Sequence, residues 1–330
     1  MTVLVTGGAG AIGGNVARML LEKGQRVVVY DRIPVTPQNK VLAGFDEPQL
    51  VSEVGAISDT SAVFDVVSRH KVDGIVHLAG MLPPHQCDLR PVEAINTNIV
   101  GTANVLEAAR ILGISPVVCA SAAGVMGRPK DVHTPRKEED VILPLAGIYQ
   151  MTKLAIEQLV YSYRQLHKMT GVTAIRPRNV YGPGCAPRIQ PLFELFFAAL
   201  DGQDFVRPDG GDSTFDYTYV KDMAKGVVQL FETKAPPSYV YNLSRGRATK
   251  MSECAEVMQR LFPAQRISIG PGAWEGVIEG GKEFELTVHP AVMPPQDVSR
   301  AAQDFGYAPE WDIERGLTDW VRWSRTGAYR

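Results

Sequence analysis

Apolar residues along this chain follow two alternating rhythms. Short continuous runs occur at residues 3–5, 26–30, 74–78, 116–120 and 172–176. Between them, apolar positions recur at helical spacing, as with Ile12, Val16, Met19 and Leu20. Further helical stretches are predicted around 94–112 and 148–167. Apolar strands separated by helices predict a parallel sheet covered on both faces. The expected fold is therefore α/β: a Rossmann-type, doubly wound parallel sheet with a smaller C-terminal α/β substrate region. After Asn179 the rhythm loosens and prolines and glycines thicken at 182–187, 207–211 and 271–281. The helix and strand of 216–246 are expected to return to the main sheet. The division read from this is 1–178 plus about 216–246 for a dinucleotide domain, and 179–215 plus 247–330 for substrate.

Composition narrows the function. The 330 residues carry 34 Lys and Arg against 36 Asp and Glu, for a net charge of −2. No basic excess exists to neutralise a nucleic-acid backbone, so no nucleic-acid partner is expected. No apolar run reaches the length of a membrane span, and no membrane partner is expected. The opening MTVLVTGGAG shows no basic leader and reads directly as a strand and loop, so the expected location is cytoplasmic. Four scattered cysteines form no CxxC pair, which suits reduced thiols. The six histidines show no metal-ligand spacing, so no metal is expected.

Candidate chemistry begins at TGGAGAIG, residues 6–13, between the first strand and the first helix. Gly7, Gly10 and Gly13 permit a tight turn, close backbone approach to a pyrophosphate, and close packing of helix on strand. Ala11 and Ile12 open the helix whose N-terminus would face the phosphates. Asp31 ends the second strand, where a carboxylate accepts both hydroxyls of an adenosine ribose and repels a 2′-phosphate. NAD is thus expected over NADP, although Arg32 stands next to it. Further on, Tyr149 and Lys153 lie four apart on a predicted helix and share one face. A phenol with pKa near 10 is a poor base at neutral pH, and a neighbouring ammonium favours its phenolate. Tyr149 would then exchange a proton with a substrate hydroxyl or carbonyl as hydride moves, and Lys153 would also hold the nicotinamide ribose.

With these pieces the sequence resembles the extended short-chain dehydrogenase/reductases, the NAD-dependent epimerase/dehydratase group. The resemblance is carried by TGGAGAIG, HLAG at 77–80, NIVGTANVLEAAR at 98–110 and YQMTKLAIEQLV at 149–160. It continues through RPRNVYGPG at 176–184, DYTYVKDMAKGV at 216–227 and YNLSRGRAT at 241–249. It implies that Ile57, Leu78, Ala79, Gly80, Asn98 and Pro177 join the cofactor site. It also implies a homodimer through the helices around 98–112 and 149–167. The loop 81–87 should cover the reacting end of the cofactor, which makes Met81 and His85 substrate candidates, together with Ala122, Asn179, Arg188 and Phe215.

Departures from the resemblance carry the rest. Members commonly read SSAAVYG where this chain has ASAAGVMG at 120–127, with a catalytic Ser or Thr five residues before the glycine. Counted from Gly127, that position is Ala122, and Ser121 comes one residue early. Neighbouring strand side chains face opposite ways, so Ser121 serves as the helper only if the strand end is irregular. Dehydratases and decarboxylases of the group place an acid at positions matching Ala123 or Gly124, so those reactions are disfavoured. Arginines that clamp a diphosphate are replaced by Phe215 and Pro294; Arg178, Arg188 and Arg207 are the available substitutes. The reading that follows is an NAD-dependent oxidoreductase acting on a secondary alcohol or ketone of a small, non-nucleotide substrate. The alternatives are a nucleotide-sugar 4-epimerase with tightly bound NAD, and a non-catalytic NAD-binding regulator.

Overall fold

A computed structural model describes residues 1–35, 39–127, 131–141, 145, 147–186, 190–233, 235–274 and 292–327. Seven strands form one parallel sheet: β1 (Thr2–Thr6), β2 (Arg26–Asp31), β3 (Leu50–Val54), β4 (Gly74–His77), β5 (Val117–Ala120), β6 (Val172–Pro177) and β7 (Val240–Leu243). Their order is β7-β6-β5-β4-β1-β2-β3. The order reverses at β1, and the crevice at the carboxyl ends of β1 and β4 is where such a sheet binds ligand.

Period-two alternation sorts each strand's residues between two cores. Val3, Val5, Val27, Val29, Val76, Val118 and Ile175 pack under α1 (Ala11–Glu22) and a helix at Val220–Glu232. Leu4, Val28, Ile75, Val117, Cys119, Val172 and Ala174 face the opposite side. There they meet α2 (Thr60–Arg69), α3 (Gly101–Leu112) and α4 (Ile148–His167). A third cluster lies beyond the sheet, where Trp320 stacks on Phe196 with ring centroids 3.5 Å apart among Phe193, Tyr181 and Tyr219.

In the sheet and the helices that flank it, the structure differs from the expected elements in three places. The single helix expected over 94–112 is three pieces: Pro91–Ile95, a π-helical turn at Asn96–Val100, and α3. Part of the 81–87 loop is helical, because Pro84 starts a short helix that runs to Leu89. The edge strand β3 and helix α2 are elements that the apolar pattern does not predict. β3 is half exposed, so its residues do not make a continuous apolar run.

Candidate active site

The loop after β1 is built for close approach. Gly7 sits at φ +70°, and a Cβ there would lie 2.7 Å from the Ala79 amide nitrogen. A Cβ on Gly13 would lie 2.2 Å from the Gly7 carbonyl oxygen, so α1 meets the loop at a distance only glycine permits. The Asp31 carboxylate accepts from the Ala9 amide at 3.1 Å, which brings the end of β2 to the loop. These residues fit a dinucleotide, with the backbone cradle for pyrophosphate and the carboxylate for ribose. Arg32 is exposed beside Asp31. Ile57 is buried, its carbonyl held by the Asn104 amide at 3.1 Å.

A buried chain of hydrogen bonds joins this loop to the helices carrying the reactive groups. The Ala79 amide donates to Thr6 Oγ1 at 3.2 Å, and Thr6 Oγ1 meets His77 Nδ1 at 2.7 Å. His77 Nε2 meets Thr102 Oγ1 at 3.0 Å, and that hydroxyl donates to the Asn98 carbonyl at 2.6 Å. Since Thr102 spends its proton on Asn98, His77 carries its hydrogen on Nε2 and accepts from Thr6 on Nδ1. Burial pushes the His77 pKa down to about 3, so the ring is a neutral strut. The Asn98 side chain accepts from the Met81 amide at 2.7 Å and donates to Thr152 Oγ1 at 3.0 Å. Thr152 donates in turn to the Tyr149 carbonyl at 2.8 Å. The π-turn supplies the extra residue that swings Asn98 inward, a frequent use of such turns at functional sites.

Tyr149 and Lys153 occupy the first turns of α4 and share a face. Lys153 is 4% exposed, and its Nζ lies 5.8 Å from the Tyr149 ring centroid and donates to the Ala120 carbonyl at 2.9 Å. A Cβ on Gly80 would stand 3.2 Å from Lys153 Nζ and 3.1 Å from Asn98 Oδ1, so these three residues converge. Burial pulls the Lys153 ammonium down to about 8, and a nearby negative charge would be strongly stabilised there. Met81 and Cys87 are buried against Tyr149 and Ile148. Burial raises the Cys87 thiol to about 11, so it is no nucleophile at neutral pH.

Ser121 has its hydroxyl engaged by the middle of α4. Its Oγ donates to Glu157 Oε1 at 2.6 Å and lies 3.2 Å from the Lys153 carbonyl. Alternation is the cause: Cys119 and Ser121 both point toward α4, and the Ser121 amide continues the ladder to the Ile175 carbonyl at 2.8 Å. The hydroxyl expected as a doubtful catalytic helper is thus placed inside the framework. Glu157 also takes Arg176 Nε and Nη2, both at 2.8 Å, with each side chain 1% exposed. Ala122 begins the turn Ala123–Met126 and offers only a methyl.

The remaining candidates are scattered. Leu78 and Ala79 line the end of β4, and Pro177 ends β6. Asn179 holds φ +39° and donates to the Asp216 carbonyl at 3.4 Å. His85 lies on the short helix after Pro83. Phe215 is buried in the third cluster beside Tyr217. Arg188 lies outside the described residues. The polar chain through Thr6, His77, Thr102 and Thr152 was missed in the sequence, although the segments HLAG and NIVGT that carry part of it were read. Gln150 was missed as well. Its Cγ would stand 3.2 Å from a Cβ on Gly124, and its Oε1 is buried with no hydrogen-bond partner among the described residues. Among the described residues no His, Cys, Asp and Glu group could hold a metal, and no helix is long and apolar enough to cross a membrane.

Comparison with known proteins follows the same outline. Residues 3–244 match the NAD dependent epimerase/dehydratase family. A UDP-glucose 4-epimerase of Rhizobium leguminosarum bv. trifolii is 28% identical over 344 aligned positions, covering 97% of each chain. A probable UDP-glucuronate 4-epimerase of Rhizobium meliloti (strain 1021) is 27% identical, covering 98% of this chain and 96% of its own. The solved UDP-glucose 4-epimerase of Bifidobacterium longum, in complex with NAD+ and UDP, superposes with a TM-score of 0.81 at 21% identity over 98% of both chains.

Proposed function

The chain belongs to the NAD-dependent epimerase/dehydratase family, and from that premise we propose that it is a UDP-sugar 4-epimerase that retains NAD. The non-nucleotide substrate expected from Phe215 and Pro294 gives way, because relatives aligned over nearly the whole chain bear UDP-sugar 4-epimerase names. The observation that carries the reading is the convergence of Tyr149, Lys153, Gly80 and Asn98 beside a glycine cradle shaped for a dinucleotide.

NAD, when bound, supplies the hydride acceptor and donor; Gly7, Gly10, Gly13 and Asp31 would hold its pyrophosphate and ribose. Tyr149 takes the proton of the sugar 4-hydroxyl and later returns it. Lys153 favours the phenolate by its charge, and the enclosed setting strengthens that attraction. Asn98 and Thr152 keep the start of α4 in register with the loop at Gly80. No hydroxyl at Ala122 shares the proton work. Dehydration and decarboxylation remain disfavoured, since Ala123 and Gly124 carry no acid and the stem of Gln150 covers Gly124. The described residues of 179–215 and 247–330 would shape the sugar-nucleotide side of the cleft. Exposed Val100, Ile111, Met151, Tyr161 and Leu166 support the homodimer read from those helices. A single-chain mass by sedimentation equilibrium would refute that assembly.

The test is incubation of purified protein with UDP-glucose and UDP-glucuronate, with chromatography of the products. Interconversion with the 4-epimer and no net rise in NADH absorbance is expected. Stoichiometric NADH formation from added NAD would favour a dehydrogenase and refute the proposal, and an active Tyr149→Phe variant would remove its chemistry.

A further inference from the structure

Two arginines two residues apart are enclosed at the end of β6 and differ completely in their partners. Arg176 is fully engaged, with two bonds to Glu157 and a third, at 2.8 Å, to the Glu138 carbonyl. Arg178 is 6% exposed, yet its Nε is buried without a partner, and no described residue bonds or ion-pairs with it. Its nearby counter-charge, Asp216, is fully buried; Oδ2 accepts from Ser244 Oγ at 2.6 Å and the Gln296 amide at 3.0 Å. Asp216 Oδ1 has no partner either. The two charges feel each other without touching, and Arg136 adds a second positive charge to the surroundings of Arg178. Arg136 donates to the Met126 carbonyl at 3.3 Å, at the end of the turn that follows Ala122. Asp140, which offsets Arg136, is 42% exposed, so the enclosed balance is two guanidinium groups against one carboxylate.

A guanidinium cannot shed its proton to escape burial, and an unpaired buried charge costs several kcal/mol. Its planar fork matches a carboxylate or phosphate through two parallel bonds. We propose that Arg178 binds an oxyanion of the substrate, either the carboxylate of a uronic-acid sugar or a phosphate of the nucleotide. The proposal rests on the UDP-sugar reading and supplies a guanidinium where Phe215 and Pro294 leave none.

Arg178→Met keeps the stem and removes the charge; Arg178→Lys keeps the charge without the fork. The NAD-loaded proteins are titrated calorimetrically with UDP, UDP-glucose and UDP-glucuronate, and thermal midpoints are read with D-glucuronate and inorganic pyrophosphate. Arg178→Met is expected to weaken binding by about tenfold or more, the worth of one charge-assisted pair, with Arg178→Lys intermediate. Loss confined to UDP-glucuronate assigns the carboxylate, and equal loss for all three ligands assigns a phosphate. Unchanged affinity for all three overturns the inference, whether or not the midpoint falls. If the wild type binds none of the three, the UDP-sugar reading fails. Arg178 then stands only if glucuronate or pyrophosphate raises the wild-type midpoint and leaves that of Arg178→Met unmoved.

Discussion

Replacing Ser121 by alanine separates a catalytic hydroxyl from a structural one. The Ser121 proton goes to the nearer acceptor, Glu157 Oε1 at 2.6 Å, and not to the Lys153 carbonyl at 3.2 Å. A buried hydrogen bond to a charged group is worth about 1.5–3 kcal/mol. Glu157 keeps both contacts to Arg176, so its carboxylate is not stranded and the lower end applies. The expected loss is about 1.5 kcal/mol, or roughly 2 °C in thermal midpoint for a chain of this size. The kcat of the proposed epimerisation should stay within about threefold of wild type, because the hydroxyl is bonded to Glu157 inside the framework. A positioned acid–base group contributes about a hundredfold or more. Melting by circular dichroism and kcat on the same preparation decide between them. A hundredfold fall in kcat with unchanged melting would refute the framework role.

Lys153 gives a prediction whose sign depends on pH. Its pKa is held at about 8 in the folded chain against an ordinary 10.5. Between these values the unfolded chain binds more protons, so stability rises with pH across that window. Below it the buried ammonium costs roughly 3 kcal/mol. Lys153→Met should therefore melt higher than wild type at pH 7 without NAD, the gap closing toward pH 10, while epimerisation is lost; a lower midpoint at pH 7 would contradict this. For Gly13→Ala, the Cβ meets the Gly7 carbonyl at 2.2 Å and the loop must shift. NAD retained through gel filtration should fall sharply, and full retention would show that the cradle is not the cofactor site.

The sheet was legible because its inner strands are buried on both faces and spell continuous apolar runs. β3 was not, because it sits at the edge. That Tyr149 and Lys153 share a helix face was legible from four-residue spacing, and the glycine loop upstream gave the pair its meaning. The direction of Ser121 was not settled by spacing, since it depended on whether β5 stayed regular past Ala120. Burial of Arg178 was invisible for a different reason. An arginine in a Pro- and Gly-rich segment reads as a surface residue, and only the tertiary fold, which brings Asp216 and Arg136 near it, encloses it. The substrate expectation rested on arginines missing at two positions, Phe215 and Pro294, and the names of relatives aligned over nearly the whole chain favour its nucleotide-sugar alternative.

The π-turn at Asn96–Val100 acts as a phase shifter in what would otherwise be one uninterrupted rod. One added residue rotates everything downstream by about 100°. Before the turn, Ala94 keeps step with Met81, Cys87 and Tyr149. After it, Gly101 lies so close to Ile57 that a Cβ would meet it at 2.6 Å, and Val105 and Leu106 join the sheet's core. The two stretches thus answer to different neighbours, and the cleft wall can be remodelled on one side of the turn without disturbing the register that seats the sheet on the other.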